Sequence, residues 1–336
     1  MKVLVTGGAG FIGSHVVEKL VKQGYQVRVL DDLSTGSLDN LSNVVGDIEF
    51  IKGDVRDYEA VSRAVEGVDL IVHEAAITSV VRSIEDPLTT SLVNVQGTLN
   101  LLWASVRNNI KRFVYASSGC SIYGSDSPLP LREEFMSMHL STPYQITKML
   151  GELYCNFFYN HYGLKVVKPR FFNSYGPGEV PGQYRNVIPN FIYWAMKGLP
   201  LPITGTGEET RDFTYVGDIV NGLLRAGVME RAVGEEFNLA SGKETRVIDL
   251  ANLINDLTGN EAGIRFVQRR KWDTKSRLLA SIDKARQLIG YEPETPFEEG
   301  LRRTIQWFRE HWDKIEACAK FGPGASSAVR EMVVHR

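Results

Sequence analysis

Tyr144 and Lys148 stand four residues apart. On a helix that spacing stacks the two side chains on one face. A lysine charge beside a phenol stabilises the phenolate and lowers its pKa, so the pair could remove a proton from an alcohol. The same spacing also describes an ordinary surface pair, and only the surrounding elements decide between the two. Ser118 follows an apolar run at residues 110–116 that reads as a strand. Parallel sheets place their chemistry at such strand ends, where a serine hydroxyl can bond the reacting oxygen.

A second set of residues points to a dinucleotide. Gly7, Gly10 and Gly13 lie between an apolar run at residues 2–6 and a helical pattern at 14–23. In that setting Gly7 allows a tight turn, Gly10 lets a pyrophosphate approach the backbone, and Gly13 allows close helix–strand contact. The N–H groups of Phe11 and Ile12 then open a helix N-terminus, which favours phosphate. Asp31 lies 18 residues past Gly13, where a carboxylate can take both hydroxyls of the adenosine ribose. A 2′-phosphate there would be repelled by Asp31 and Asp32, so NAD is expected rather than NADP. Asp54 and Val55 end a third apolar run and are placed to meet the adenine, though Asp54 could equally cap a helix.

These residues need a scaffold that gathers strand ends. Strand patterns fall at residues 2–6, 26–30, 48–52, 68–72, 110–116 and 164–168, with helical stretches between them. Such alternation predicts an α/β chain with a doubly wound parallel sheet of the Rossmann type. After Pro169 glycine and proline become frequent, which suggests a smaller C-terminal substrate-binding unit. The expected division is 1–169 for the NAD-binding domain, with 212–250 returning to it in part. Residues 170–211 and 251–320 would form the substrate-binding unit, and 321–336 a tail. The helical pattern after Tyr144 carries more apolar surface than one sheet needs, in Ile146, Leu150, Leu153 and Phe157. That excess predicts a homodimer through this helix, with burial inside one chain as the alternative.

Bulk composition narrows the function classes. The chain has 336 residues, 43% hydrophobic and 23% charged, with a formal net charge of −2. This is ordinary globular composition, and the charge suggests no nucleic-acid groove. The three cysteines, Cys120, Cys155 and Cys318, show no metal-ligand spacing, so no metal is expected. They fit a reducing compartment, and with no spanning or signal-like segment the expected location is cytoplasmic.

As a set, the motifs resemble the extended short-chain dehydrogenase/reductase family, in particular its nucleotide-sugar 4-epimerases. The matching pieces include Thr6-Gly7-Gly8-Ala9-Gly10-Phe11-Ile12-Gly13, His73-Glu74-Ala75-Ala76, Asn94-Val95-Gln96-Gly97-Thr98, Ser117-Ser118, Tyr144-x-x-x-Lys148, Arg170-Phe171-Phe172-Asn173 and Arg211-Asp212-Phe213. The resemblance implies NAD-dependent epimerisation at C4 of a UDP-sugar through a 4-keto intermediate. Tyr144 would be the base, Ser118 would bond the reacting oxygen, and Lys148 would hold the nicotinamide ribose. NAD would stay bound throughout. Ala75, Ala76 and Phe172 would complete the cofactor site. Thr78, Ser79, Asn173, Asn186, Val187, Arg211, Arg270, Asp273 and Arg277 would meet the UDP-sugar.

Some residues depart from the family pattern. The loop from Ser118 to Tyr123 is one residue longer than in many 4-epimerases. Gly119 and Cys120 stand where the family's dehydratases carry Asp-Glu, which argues against dehydration. Cys120 occupies the position that 3,5-epimerases use for carbon-acid chemistry, but residues 184–187 contain no lysine to oppose it, and a buried inert thiol is the simpler reading. For the sugar, an inward Arg277 would crowd an N-acetyl group and attract a uronate, and an outward one would do neither. The stretch at 73–87 looks more like the branch handling UDP-N-acetylhexosamines and their uronates. The expectation is a UDP-glucose/UDP-galactose type 4-epimerase, with UDP-uronate or UDP-N-acetylhexosamine 4-epimerase or a net NAD-dependent oxidoreductase as alternatives. A non-catalytic NAD sensor would not need Ser118, Tyr144 and Lys148 together.

Overall fold

β1 (Lys2–Thr6) is buried from Val3 onward, as a strand covered on both faces must be. A computed structural model describes residues 1–269, 273 and 275–321. In it β1 pairs in parallel with β2 (Gln26–Asp31), and β2 with β3 (Ile48–Lys52). On its other side β1 pairs with β4 (Leu70–His73), and β4 with β5 (Arg112–Tyr115). A short β6 (Ser117–Ser118) and β5 both pair with β7 (Val166–Phe171), and the strand Glu236–Leu239 closes that edge. All of these pairings are parallel, and the order is doubly wound. Its switch point lies between β1 and β4, where such sheets open a crevice at their C-terminal ends.

The helix Pro143–Tyr162 carries Tyr144 and Lys148. Thr142 and Gln145 form a reciprocal capping box at its start, Pro143 fills the first turn, and left-handed Gly163 ends it. One turn beyond Lys148, Glu152 is fully buried and paired to Arg170 of β7 through Nε at 2.9 Å and Nη2 at 2.7 Å. The pair locks the rotation and height of the helix against the sheet.

The chain then leaves the sheet and comes back. The helix Val216–Val228 packs on β5 and β7 before the strand Glu236–Leu239 joins the edge. A second apolar core gathers Tyr175, Ile192, Phe213, Ile254, Leu301 and Phe308, built largely by the helices Val187–Met196, Val247–Thr258 and Phe297–Glu310. The expected tail lies, apart from Phe321, outside the described residues.

Candidate active site

The glycine turn is tight because nothing larger fits. Gly7 sits at φ +68°, and a Cβ there would fall 2.7 Å from the Ala75 nitrogen. A Cβ on Gly13 would lie 2.2 Å from the Gly7 carbonyl oxygen. The helix Phe11–Lys22 opens directly from Gly10, with no side chain capping its first N–H groups. Those donors face a cleft lined by Gly7, Gly10, Phe11, Ile12, Gly13, Asp31, Asp32, Asp54, Val55, Ala75 and Ala76. Asp31 also braces the turn, accepting from the N–H groups of Ala9 at 2.9 Å and Leu33 at 2.8 Å. Burial raises its pKa, while the two backbone donors work to lower it. Asp54 is held by its neighbour Arg56, whose Nε lies 2.9 Å from Oδ2. The cleft therefore fits a dinucleotide: a backbone cradle for phosphate with no room for side chains, and a carboxylate at the end of β2 for ribose.

At the other end of the same cleft stand Ser118, Tyr144 and Lys148. Ser118 lies at the end of β6, and its Oγ is 2.9 Å from Ser121 Oγ. Burial raises the Tyr144 pKa, and the Ser118 hydroxyl beside the phenol pulls it back down. The hydrogen bond of the Lys148 ammonium goes to the sheet and not to Tyr144. The Lys148 Nζ donates to the Ala116 carbonyl at 2.8 Å and lies 5.2 Å from the centre of the Tyr115 ring. The helix stacks the two residues, but the buried lysine head takes the strand-end carbonyl within its reach. Burial lowers its pKa to about 8.

The substrate end is also gathered into this cavity. Thr78, Ser79, Asn173, Asn186, Val187, Arg211 and Asp273 line it. Arg211 and Asp273 face each other as a pair, Nη2 to Oδ1 at 3.0 Å. Asn173 donates to the Asp212 carbonyl at 3.1 Å, and Asn186 to Glu179 Oε1 at 2.6 Å. Two expectations change. The Phe172 side chain does not line the cleft: it is fully buried beneath Gly119, just past the end of β7, and Phe171 lines the cavity. Arg277 turns outward and pairs with Glu244 through Nε at 2.9 Å, with its side chain 56% exposed. Arg270 lies outside the described residues.

Residues 3–240 match the model of the NAD dependent epimerase/dehydratase family. The chain belongs to that family. Its cofactor is NAD, and it is an enzyme. A putative UDP-glucose 4-epimerase of Methanocaldococcus jannaschii is 35% identical over 310 residues, covering 92% of this chain and 99% of the relative. An epimerase of the pseudomurein-containing methanogen Methanothermobacter thermautotrophicus superposes with a TM-score of 0.93 at 51% identity, covering 95% of each chain. A UDP-glucose 4-epimerase of Thermotoga maritima, solved with UDP-glucose, gives 0.89 at 36% identity, covering 93% of this chain and all of that one.

Several residues of this family member act at the site without having been singled out as site residues. His73 bridges β1 to the helix Gly97–Arg107, with Nδ1 2.8 Å from Thr6 Oγ1 and Nε2 2.9 Å from Thr98 Oγ1. Burial drops its pKa to about 3, so it is a neutral cross-tie. Asn94, in a wide helical turn, accepts from Ile77 N–H at 2.8 Å and donates to Thr147 Oγ1 at 3.1 Å, tying the β4 loop to the Tyr144 helix. Lys275 donates to the Cys120 carbonyl at 2.8 Å. Cys120 itself lines the cavity, and burial raises its thiol pKa. Glu74 and Glu179 each carry a buried carboxylate oxygen with no hydrogen-bond partner. Their motifs are visible in the sequence, but nothing local reveals where these side chains point.

Proposed function

We propose that this epimerase inverts C4 of a UDP-linked hexose, of the UDP-glucose/UDP-galactose type, through a 4-keto intermediate. The observation that carries the reading is the placement of Ser118, Tyr144 and Lys148 at one end of a dinucleotide cleft, with Arg211 and Asp273 lining the same cavity. Gly7 to Gly13 and Asp31 hold the dinucleotide, and bound NAD supplies the acceptor that takes hydrogen from C4 and returns it. Ser118 donates to the oxygen being oxidised and fixes its position. Tyr144 takes the hydroxyl proton and returns it after the ring has turned. Lys148 holds positive charge near the phenol and so favours the phenolate when the cavity is filled. Arg211 suits the diphosphate, because a guanidinium fork matches phosphate oxygens. The cavity wall formed by residues 173–213 binds the substrate, and the sheet binds the cofactor.

Arg277 supports widening the substrate range. An outward Arg277 neither crowds an N-acetyl group nor attracts a uronate, which favours UDP-N-acetylhexosamine as a second substrate. A UDP-N-acetylglucosamine 4-epimerase of Methanobrevibacter ruminantium, solved with UDP-N-acetylmuramic acid, is 33% identical with a TM-score of 0.87. Arg277→Ser should leave the ratios of kcat/KM among UDP-glucose, UDP-N-acetylglucosamine and UDP-glucuronate within about twofold of the parent, the small effect expected of an exposed ion pair. A gain for the N-acetyl sugar with a loss for the uronate would place Arg277 inside the pocket after all.

The assembly we infer is a homodimer through the Tyr144 helix. Met149, Glu152, Cys155 and Phe158 are buried on one side of it, while Ile146, Leu153 and Phe157 remain 45%, 49% and 49% exposed on the other. Trp103 adds to that bare face through its ring contact with Tyr162. No helix among the described residues is long and apolar enough to cross a membrane. A cytoplasmic location fits the three free thiols.

A further inference from the structure

Most buried carboxylates among the described residues are answered by donors. Glu152 has Arg170 and the Ser117 hydroxyl. Asp212 has the N–H groups of Ser241 and Gly242 and the Ser241 hydroxyl. Glu179 has Asn186 on one oxygen, and its other, buried oxygen is unpaired. Glu74 differs from it in place. It follows β4 at the switch point and is held there by its N–H, which donates to the Thr6 carbonyl at 3.1 Å. Its side chain lines the cavity, and its buried Oε1 has no hydrogen-bond partner. Leaving such a group unanswered is costly, so a bare carboxylate oxygen in a ligand cavity marks a place for the ligand's own donor or positive charge.

The position selects which part of the ligand. Glu74 directly follows His73, whose carbonyl accepts from the Ala116 N–H at 3.2 Å, and the Ala116 carbonyl in turn holds Lys148 Nζ at 2.8 Å, so Glu74 belongs to the reacting end of the cleft and not to the adenine end marked by Asp31 and Val55. Lys148 is not its ion-pair partner: the ammonium is bonded to the Ala116 carbonyl. At this end the oxidised nicotinamide ring is the cationic part of NAD, and it loses that charge on reduction. Lys148 by itself disfavours the cationic ring and so favours the reduced cofactor. A carboxylate on the same wall opposes that bias.

We propose that Glu74 is a charge-balancing residue that makes the site favour oxidised over reduced NAD. The proposal rests on NAD occupying this cleft, and it goes beyond that reading by giving the cofactor's resting state a cause. An enzyme that must return its hydrogen each cycle starts from oxidised NAD, and a site that stabilised the reduced form would stall with the keto sugar lost. Burial pushes the Glu74 carboxyl pKa up to about 7 even though the Lys148 charge works to lower it, and a further cation brought against it favours the ionised form.

The test uses the protein with the cofactor it retains. Bound cofactor is equilibrated against a redox couple of known potential, and the reduced fraction is read from the near-ultraviolet absorbance of the reduced ring. Glu74→Gln keeps the shape and removes the charge. At a fixed potential it should raise the reduced-to-oxidised ratio about tenfold, the order expected of one charge in a partly desolvated site. Glu74→Asp, which keeps the charge, should stay within about threefold of the parent, because only distance changes. Glu74→Met makes the same prediction as Gln if the Gln variant does not fold. A ratio unchanged in the neutral variants would overturn the proposal. So would a loss of total NAD with the ratio unchanged, since a hydrogen bond to ribose holds both oxidation states alike. A parent protein that releases no dinucleotide on denaturation would overturn the cofactor reading itself, and this inference with it.

Discussion

At the residue scale the proposed chemistry rests on Tyr144. Tyr144→Phe keeps the ring and removes the proton acceptor, so the protein should retain its fold and NAD while kcat falls roughly 10²–10⁴-fold, the range for losing a general base. Steady-state assay together with cofactor content checks both halves, and activity within about threefold of the parent would remove Tyr144 from that role. Cys120→Ala in the same assay should be nearly silent, because the thiol is half-buried, raised in pKa by that burial and held by the Asn173 N–H at 3.4 Å. Lys275 bonds the backbone carbonyl of Cys120 and is not among the residues that line the cavity. The glycine turn and the Tyr–Lys spacing are legible in the sequence because their geometry is local. The direction of Arg277 is not, because its partner Glu244 lies 33 residues away. Glu74 is hidden for a related reason: its unanswered oxygen becomes visible only when β4, Lys148 and Tyr144 meet.

At the element scale, the Tyr144 helix is aimed by its cap and by the Glu152–Arg170 pair. Both residues are no more than 2% exposed. Breaking the pair leaves a charge buried without a partner, which costs about 3–5 kcal/mol. Arg170→Met should therefore lower the denaturant midpoint substantially, and adding Glu152→Met should recover much of the loss, since a well-packed apolar pair often replaces a buried ion pair without penalty. A double variant no better than the single one would mean that the network through Ser117 and Tyr123 matters more than the pair. The strands are legible from their apolar runs, but the predicted starts at 68, 110 and 164 each fall two residues before the observed Leu70, Arg112 and Val166. Apolar residues in the preceding turn extend the pattern.

At the scale of the whole molecule, the doubly wound order explains why residues from 7 to 273 share one cavity. The sheet collects strand ends on one side, and the segment after β7 folds across them. The alternation of strands and helices makes the first part readable. The second part has short elements and few periodic runs, and its organisation depends on a separate core that only long-range contacts define. The bare face of the Tyr144 helix carries the prediction of assembly. Replacing both Leu153 and Phe157 with glutamate should halve the mass seen by sedimentation velocity while NAD stays bound. A parent that already sediments as a monomer would refute the dimer and leave the active-site account untouched.

The central claim is that hydrogen leaves C4 and returns to the same carbon without leaving the protein. The direct measurement supplies the purified enzyme, with no added NAD, with UDP-glucose and UDP-N-acetylglucosamine deuterated at C4, and follows the products by NMR. The account predicts that at least one is converted to its C4 epimer with the deuterium retained at C4 and with no reduced cofactor accumulating in solution. Deuterium exchanged for solvent hydrogen, net release of reduced NAD, or no C4 epimer from either sugar would contradict it.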